Sequence, residues 1–447
     1  MSRKRVVTRR EFVGAAAAGF LIVPRRVVAR SGQTPPSEKL RIAGIGVGGQ
    51  GRGDLYNVSG EDIVALCDVD RGSHTAKSFE QWSKARQFRD FRRMFDDMEQ
   101  QIDAVVVATP DHTHAVAAMA AIKRGKHVYC EKPLAHSVHE VRQLMKAAQE
   151  HQVVTQLGNQ GHSSDSIRTF CEWIWDGAIG TVSEIHAGCS HVNSGGGRRK
   201  SVPGAAVPTT LDWDLWLGPA QWRAYDPAYA PGTWRGWVPF GNGTIGDWAC
   251  HVLDPVFWAL DLGAPQSIQA RVKDYDPQTQ SDLYPPGDVI TFEFPAKGQR
   301  GPVTLHWYSG TEPIPRPPQL EEDQEIGPAG AVVYGDKGSI IYGSHGAGGV
   351  RIFPQEQMQA YQRPAPSIPR VADGNHHRDW LDAIRHGRSA GSDFSYGGPL
   401  TELALLGVVA IKMAGTRLEY DAQQMKFPNC PEADQYLAPP YRDGWTL

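Results

Sequence analysis

A short apolar run over residues 40–45 leads straight into Gly46-Val47-Gly48-Gly49-Gln50-Gly51, and this junction constrains the fold more than any other part of the chain. Glycines at G-x-G-x-x-G offsets are weak evidence by themselves. With 48 Gly in 447 residues, such a triplet arises by chance about 0.5 times per chain. A second match at Gly241, Gly243 and Gly246 has no apolar run before it. The first match has a strand-like run in front, a short helical stretch behind, and Asp68 closing the next apolar run. In that setting the glycines permit a tight turn and let a pyrophosphate approach backbone N–H groups at a helix N-terminus. A carboxylate at the second strand end then accepts hydrogen bonds from a ribose.

The same rhythm continues to residue 160. Apolar runs at 40–45, 63–67, 104–108, 127–130 and 153–157 predict strands, and helical patterns at 74–86, 113–124 and 138–151 lie between them. Such alternation predicts an N-terminal Rossmann domain, a doubly wound parallel sheet whose ligands bind at the carboxyl ends of its strands. The chain is too long for one ordinary domain, so a first domain over 39–160 and a second over 161–447 are expected. The second half carries β-like runs at 289–294, 303–308, 331–334 and 339–342 between Gly-, Pro- and Trp-rich loops. These predict a C-terminal α/β domain with a large open, mostly antiparallel sheet. Helices are expected over 378–386 and 401–414, the latter apolar enough to be buried, and residues 312–328 read as an exposed loop.

Residues 1–30 read as an address. Arg3, Lys4 and Arg5 lead into Thr8-Arg9-Arg10-Glu11-Phe12-Val13, then a soft apolar run over 14–23 and Pro24. This is the twin-arginine export pattern, and the run is too short to span a bilayer as a mature helix. The expected location is therefore periplasmic or otherwise extracytoplasmic. No Cys follows the run, so a lipid anchor is not expected, and residues 31–38 form a polar linker. The net charge of −3, with both signs interspersed, gives no reason to expect nucleic acid or a membrane surface as partner. The six Cys show no C-x-x-C spacing; Cys67 and Cys130 fall at strand ends, where a thiol behaves as a small hydrophobe. The 13 Trp suit either a large core or a site that stacks on a ring.

Two further strand ends are specific. Ala108-Thr109-Pro110-Asp111-His112-Thr113-His114 follows the third strand and Cys130-Glu131-Lys132-Pro133 the fourth. With the glycine loop they resemble the Gfo/Idh/MocA family, that is, glucose–fructose oxidoreductase, inositol dehydrogenase and their relatives. Residues 180–186 resemble the first strand of that family's open sheet, and 211–219, 234–237, 375–380 and 441–445 resemble loops of its exported branch. The resemblance implies an NAD(P)-dependent oxidoreductase acting on a sugar, polyol or sugar derivative, with a homo-oligomeric assembly. The cofactor contacts it implies are Gly46, Gly48, Gly49, Gln50, Gly51, Arg52, Asp68, Thr109, Pro110, His114, Glu131 and Lys132. The Asp68 carboxylate repels a 2′-phosphate and so favours NAD over NADP, a preference that Arg52 and Arg71 lie near enough in sequence to soften.

Asp247 and His251 are four residues apart in 245–251, so a helix there would present both from one face. On spacing alone such a pair is commonly solvated or capping, but the family's catalytic pair has this spacing. Hydride transfer from a secondary alcohol needs a base for the hydroxyl proton and a cation near the developing alkoxide. The resemblance assigns His251 as acid/base, Asp247 as its orienting partner or a hydroxyl holder, and Lys132 as the cation. Asn159, His162, Trp234, Arg235 and His251 are the expected substrate contacts. There is no H-E-x-x-H and no Cys₂His₂ spacing, and His112/His114 and His376/His377 lack further partners, so no catalytic metal is expected. His376 and His377 read instead as helix-start or substrate-rim residues. Two other readings compete with a dehydrogenase: a redox-neutral NAD-dependent glycosidase or lyase working by oxidation and elimination, and a non-catalytic sugar or nucleotide binder. Outside the cytoplasm free NAD is scarce, which favours a tightly held cofactor.

Overall fold

The computed structural model describes residues 38–192 and 201–447. The export pattern over 1–30, and the linker apart from its last residue, lie outside the described residues.

The first sheet is built from β1 (Arg41–Ile45), β2 (Asp62–Cys67), β3 (Arg86–Phe88), β4 (Ala104–Val107), β5 (His127–Cys130) and β6 (Thr155–Leu157), all parallel. Between them run α1 (Gly49–Asn57), α2 (Ser73–Gln81), α3 (Phe91–Met98), α4 (Asp111–Ile122) and α5 (Val138–Glu150). The strand order is β3-β2-β1-β4-β5-β6, so the order reverses between β1 and β4 and opens a crevice at their carboxyl ends. The Ala-Val-Val-Val of β4 is buried throughout, as a central parallel strand covered on both faces must be. Sequence patterning missed β3. Its Arg-Gln-Phe has no apolar run, and it pairs with β2 alone over three residues. The helix expected over 74–86 accordingly stops at Gln81.

The second sheet has eight strands in the order β13-β12-β11-β7-β10-β9-β8-β14. They are β7 (Val182–Cys189), β8 (Ser267–Lys273), β9 (Gly287–Phe294), β10 (Val303–Gly310), β11 (Ala329–Gly335), β12 (Ser339–Gly343), β13 (Gly348–Phe353) and β14 (Arg417–Glu419). Only β7 and β10 pair in parallel. Helices α6 (Asp165–Trp175), α7 (Gly243–Val252), α8 (Asp254–Ala259), α9 (His376–His386) and α10 (Phe394–Lys412) complete the chain's larger elements. Residues alternate across the sheet: Ile185, Ala187, Leu305 and Trp307 point inward and are buried, whereas Glu184, His186 and His306 lie on the other face.

Helix α10 is long and apolar enough to cross a membrane, but most of it is buried inside the protein, where it packs against α5, α7 and β8. One apolar core thus runs from the first sheet through α10 into the second. Arg142 of α5 reinforces the junction, donating Nε and Nη2 to the Glu402 carboxylate at 2.9 and 2.6 Å. All six Cys are buried free thiols.

Candidate active site

The carboxyl ends of β1, β2, β4 and β5 open into a cavity of about 580 Å³ that also reaches α7 and the Trp-rich loops of the second half. The glycine turn forms one end. Gly46 sits at φ +77°, and a Cβ there would come within 2.7 Å of the Ala108 carbonyl, so no side chain fits. Gly51 faces the turn itself: a Cβ would lie 2.0 Å from the Gly46 carbonyl oxygen. Its role is close helix–strand packing, and it does not line the cavity, whereas Gly46, Gly48, Gly49 and Gln50 do. No side chain caps α1, which leaves its N-terminal dipole available to an anion.

Asp68 closes β2 and lines the cavity, its Oδ2 accepting the Val47 N–H at 2.9 Å and its Oδ1 the Asp70 N–H at 3.0 Å. Burial pushes its carboxyl up, and these two N–H donors pull it back. Thr109 and Pro110 form the next part of the wall, and the buried Thr109 Oγ1 has no hydrogen-bond partner. A glycine cradle, an uncapped helix N-terminus, a carboxylate at the second strand end and an orphaned hydroxyl together suit a dinucleotide.

Arg52 departs from the expectation. It sits on α1 outside the cavity lining and donates to Gln81 Oε1 at 3.3 Å. Arg71 donates to the Phe88 carbonyl and lies 3.9 Å over the Phe79 ring. Neither lines the cavity.

The chemistry sits at the other end. Lys132 follows β5, and its Nζ donates to Asp247 Oδ1 at 2.6 Å and to the Asp247 carbonyl at 2.8 Å. Arg235 Nε donates to the same Oδ1 at 3.1 Å, and its guanidinium lies 4.3 Å over the Trp234 ring. Burial pulls the Lys132 ammonium down, but the Asp247 carboxylate outweighs it and the group stays a cation.

His251, one turn along α7, is buried, and its Nδ1 has no hydrogen-bond partner. Burial, then the Lys132 charge, hold this imidazole well below the usual histidine range, so it is a neutral base at pH 7. Asp247 therefore serves the two cations, while the His251 ring is held by His345, stacked at 4.1 Å. Asp111, at the start of α4, also lines the cavity and accepts from Asn242 Nδ2 at 3.1 Å. Burial pushes its carboxyl up to about 7. Lys132 and Arg235 thus converge on the same Asp247 oxygen, and cations so placed can stabilise negative charge on a bound oxygen.

Several expected contacts have other duties. Asn159 and His162 do not line the cavity. Asn159 Nδ2 donates to Asp254 Oδ2 at 3.0 Å, and His162 Nδ1 lies 3.0 Å from Asp254 Oδ1, its ring stacked on Trp258. They pin the start of α8, a buried network that serves the fold. His114 borders the cavity, but its ring is wedged between the Pro133 and Thr109 carbonyls at 2.8 and 2.7 Å, and burial lowers it to about 4. It holds two strand-end loops together. Glu131 lines the cavity, and its Oε1 accepts from Gln160 Nε2 at 2.6 Å. Burial raises its carboxyl, and the neighbouring buried Asp54 raises it further. His376 and His377 do start a helix, but both are buried beneath β6 and α1, away from any rim.

Sequence reasoning missed Asp111, His345 and Trp248 as cavity residues. Asp111 lay inside a quoted motif. His345 had no local signal, because it reaches the site from a turn between β12 and β13 at φ +57°, pressed against Gly161. Trp216 and Trp234 form a wall of the cavity, backed by Trp213, stacked on Trp216 at 4.8 Å, and by Phe240.

The decisive comparison is with family sequence models. That of the oxidoreductase family's NAD-binding Rossmann fold matches residues 39–159, and that of its C-terminal α/β domain matches 181–290. The chain belongs to the Gfo/Idh/MocA oxidoreductase family. Its NAD-binding Rossmann domain contains the β1–β6 sheet, and the cavity opens at the carboxyl ends of that sheet's strands.

Among curated relatives, the chain is 30% identical to levoglucosan dehydrogenase of Pseudarthrobacter phenanthrenivorans over 218 residues, 48% of this chain and 46% of that one. It is 27% identical to inositol 2-dehydrogenase of Salmonella paratyphi B over 176 residues, 39% of this chain and 51% of that one. The chain thus spans about half the length of these relatives. Among solved structures, the WlbA dehydrogenase from Bordetella pertussis, in complex with NADH and UDP-GlcNAcA, superposes with a TM-score of 0.59 at 16% identity, covering 86% of this chain and 99% of that one. At that identity the likeness shows the fold.

Proposed function

We propose that this protein oxidises a secondary alcohol of a sugar, polyol or sugar derivative, or reduces the matching ketone, with NAD held in the same cavity. The observation that carries the reading is the Lys132–Asp247 contact at 2.6 Å beside the uncharged His251, in one cavity with the glycine turn and Asp68. Bound NAD would supply the acceptor for the hydride leaving the alcohol carbon. His251 takes the hydroxyl proton, and Lys132 stabilises the negative charge left on oxygen. Asp247 holds the ammonium in place and is itself fixed by Arg235, and the Trp234 and Trp216 wall offers apolar faces to a sugar ring.

The export pattern over residues 8–13 supports an extracytoplasmic site of action. There a captive cofactor avoids dependence on a soluble NAD pool. Changing Arg9 and Arg10 to Lys should leave the protein in the cytoplasm. Denaturing the purified protein should release about one nicotinamide nucleotide per chain, and none in the supernatant would sink tight retention. Assembly as a homo-oligomer is checked by light scattering.

The test of the reaction is absorbance at the reduced-nicotinamide band as sugars and glycosides are added singly. A band that appears stoichiometrically and decays with a second carbonyl sugar is the expected result. Glycoside cleavage with only a transient band would replace this reading by a redox-neutral one, and no band with any sugar would overturn both.

A further inference from the structure

On the face of the second sheet opposite the core, Glu184 and His186 of β7 stand two residues apart and so share a face. His306 of β10 is the direct register partner of His186. The Glu184 carboxylate oxygen Oε1 lies 2.7 Å from His186 Nε2 and 3.7 Å from His306 Nε2. One ligand atom from each residue falls within 4.8 Å of the others. Among the described residues no other group of three His, Cys, Asp or Glu side chains converges this way.

The far nitrogen of each ring is also held. His186 Nδ1 meets the Tyr308 hydroxyl at 2.9 Å, and His306 Nδ1 meets Thr291 Oγ1 at 3.0 Å. His186 Nε2 here donates to Glu184 Oε1; on metal binding, hydroxyls that accept from Nδ1 would let each ring keep its proton there and turn its Nε2 lone pair to the ion. That outer support is what metal-binding imidazoles need. The His186 and His306 side chains are 15% and 25% exposed and Glu184 is 48% exposed, so the point is anchored yet open to solvent.

We propose that Glu184, His186 and His306 form a binding site for a divalent first-row transition ion of the zinc type, separate from the reaction centre. Two imidazoles and one carboxylate make a borderline donor set that suits Zn²⁺ and disfavours Mg²⁺ or Ca²⁺. In a tetrahedron with bonds of about 2.1 Å, ligand atoms stand roughly 3.4 Å apart. The observed spacings bracket that value, so side-chain rotation alone closes the site. The fourth position is left to water or to a group from a neighbouring molecule.

The test is Zn²⁺ competition between tag-free, chelator-stripped full-length protein and a chromophoric chelator, with Co²⁺ spectra reporting geometry. The expected result is one saturable equivalent per chain with tetrahedral Co²⁺ bands. His186→Ala and His306→Ala should each abolish it, and Tyr308→Phe should weaken it about 10- to 100-fold. The active-site variant Lys132→Ala should bind as the parent does. Equal Zn²⁺ uptake by the parent and by a folded His186→Ala/His306→Ala double variant, or no saturable uptake by the parent, would overturn the proposal.

Discussion

In the proposed reaction Lys132 and His251 divide the work of one proton and one negative charge, and their environments set the two protonation states in opposite senses. The Asp247 carboxylate keeps Lys132 charged, whereas burial and that same lysine keep His251 neutral. Lys132→Ala and His251→Ala should therefore each lower kcat/KM by about 10²- to 10⁴-fold, with circular dichroism showing retained fold. Parent-like activity in either would remove the assignment. Because His251 resists protonation, the acid limb of the kcat/KM profile for oxidation should lie below the ordinary histidine range, near pH 6.5.

Asp111 makes a separate pH prediction. Its folded-state value, about 7, is raised above the unfolded one, so between about pH 4 and 7 the folded state binds the extra proton. Its contribution to stability is present at low pH and is lost as pH rises. Asp111→Asn removes that loss, so the Tm difference between variant and parent should move in the variant's favour from pH 4.5 to 7.5. A difference independent of pH would show that Asp111 titrates normally.

At the scale of elements, two loops meet backbone to backbone to bring His345 onto His251. A Cβ on Gly161 would lie 2.1 Å from the His345 carbonyl carbon, and one on Gly346 would lie 2.0 Å from the Gly161 oxygen. Gly161→Ala must push the β12–β13 turn away, at a cost of roughly 1–3 kcal/mol by analogy with overpacked cores. Denaturant unfolding should show that loss, and kcat should fall as the His345 stack is displaced. If kcat is unchanged while stability falls, His345 does not position the base. Glycine at 46 is stricter still, because both φ and the neighbouring strand exclude a side chain.

Across the whole molecule, one apolar core joins the two sheets through α10. Calorimetry should therefore give a single cooperative transition, and two resolved transitions would show that the sheets unfold independently. Glu402→Ala strands the Arg142 guanidinium and leaves it only Tyr420 Oη at 3.0 Å. The expected loss is about 1–3 kcal/mol, read as a lower Tm of that one transition.

The sequence by itself determined the parallel sheet and the nucleotide turn, because both rest on local physics, while the candidate reacting residues came from motifs that resemble the family's. Short continuous apolar runs and glycine chemistry place β1, β2, β4 and β5 and the Gly46 turn. The i, i+4 spacing puts Asp247 and His251 on one turn of α7. Short motifs at strand ends mark Thr109, Glu131 and Lys132. Polar or edge strands escaped that reading, β3 and β14 among them, since three residues with a charge at one or both ends carry no periodic signal.

Partner choice was decided only by tertiary structure. Asp247 binds Lys132 and Arg235, residues 115 and 12 positions away. Asn159 and His162 turn inward to Asp254, and His345 arrives from a turn of the second sheet. His186 meets His306 across a strand pair 120 residues apart in sequence. Whether a buried polar group faces a ligand or a neighbour depends on which distant backbone lies within about 3 Å of it. Sequence spacing does not encode that distance.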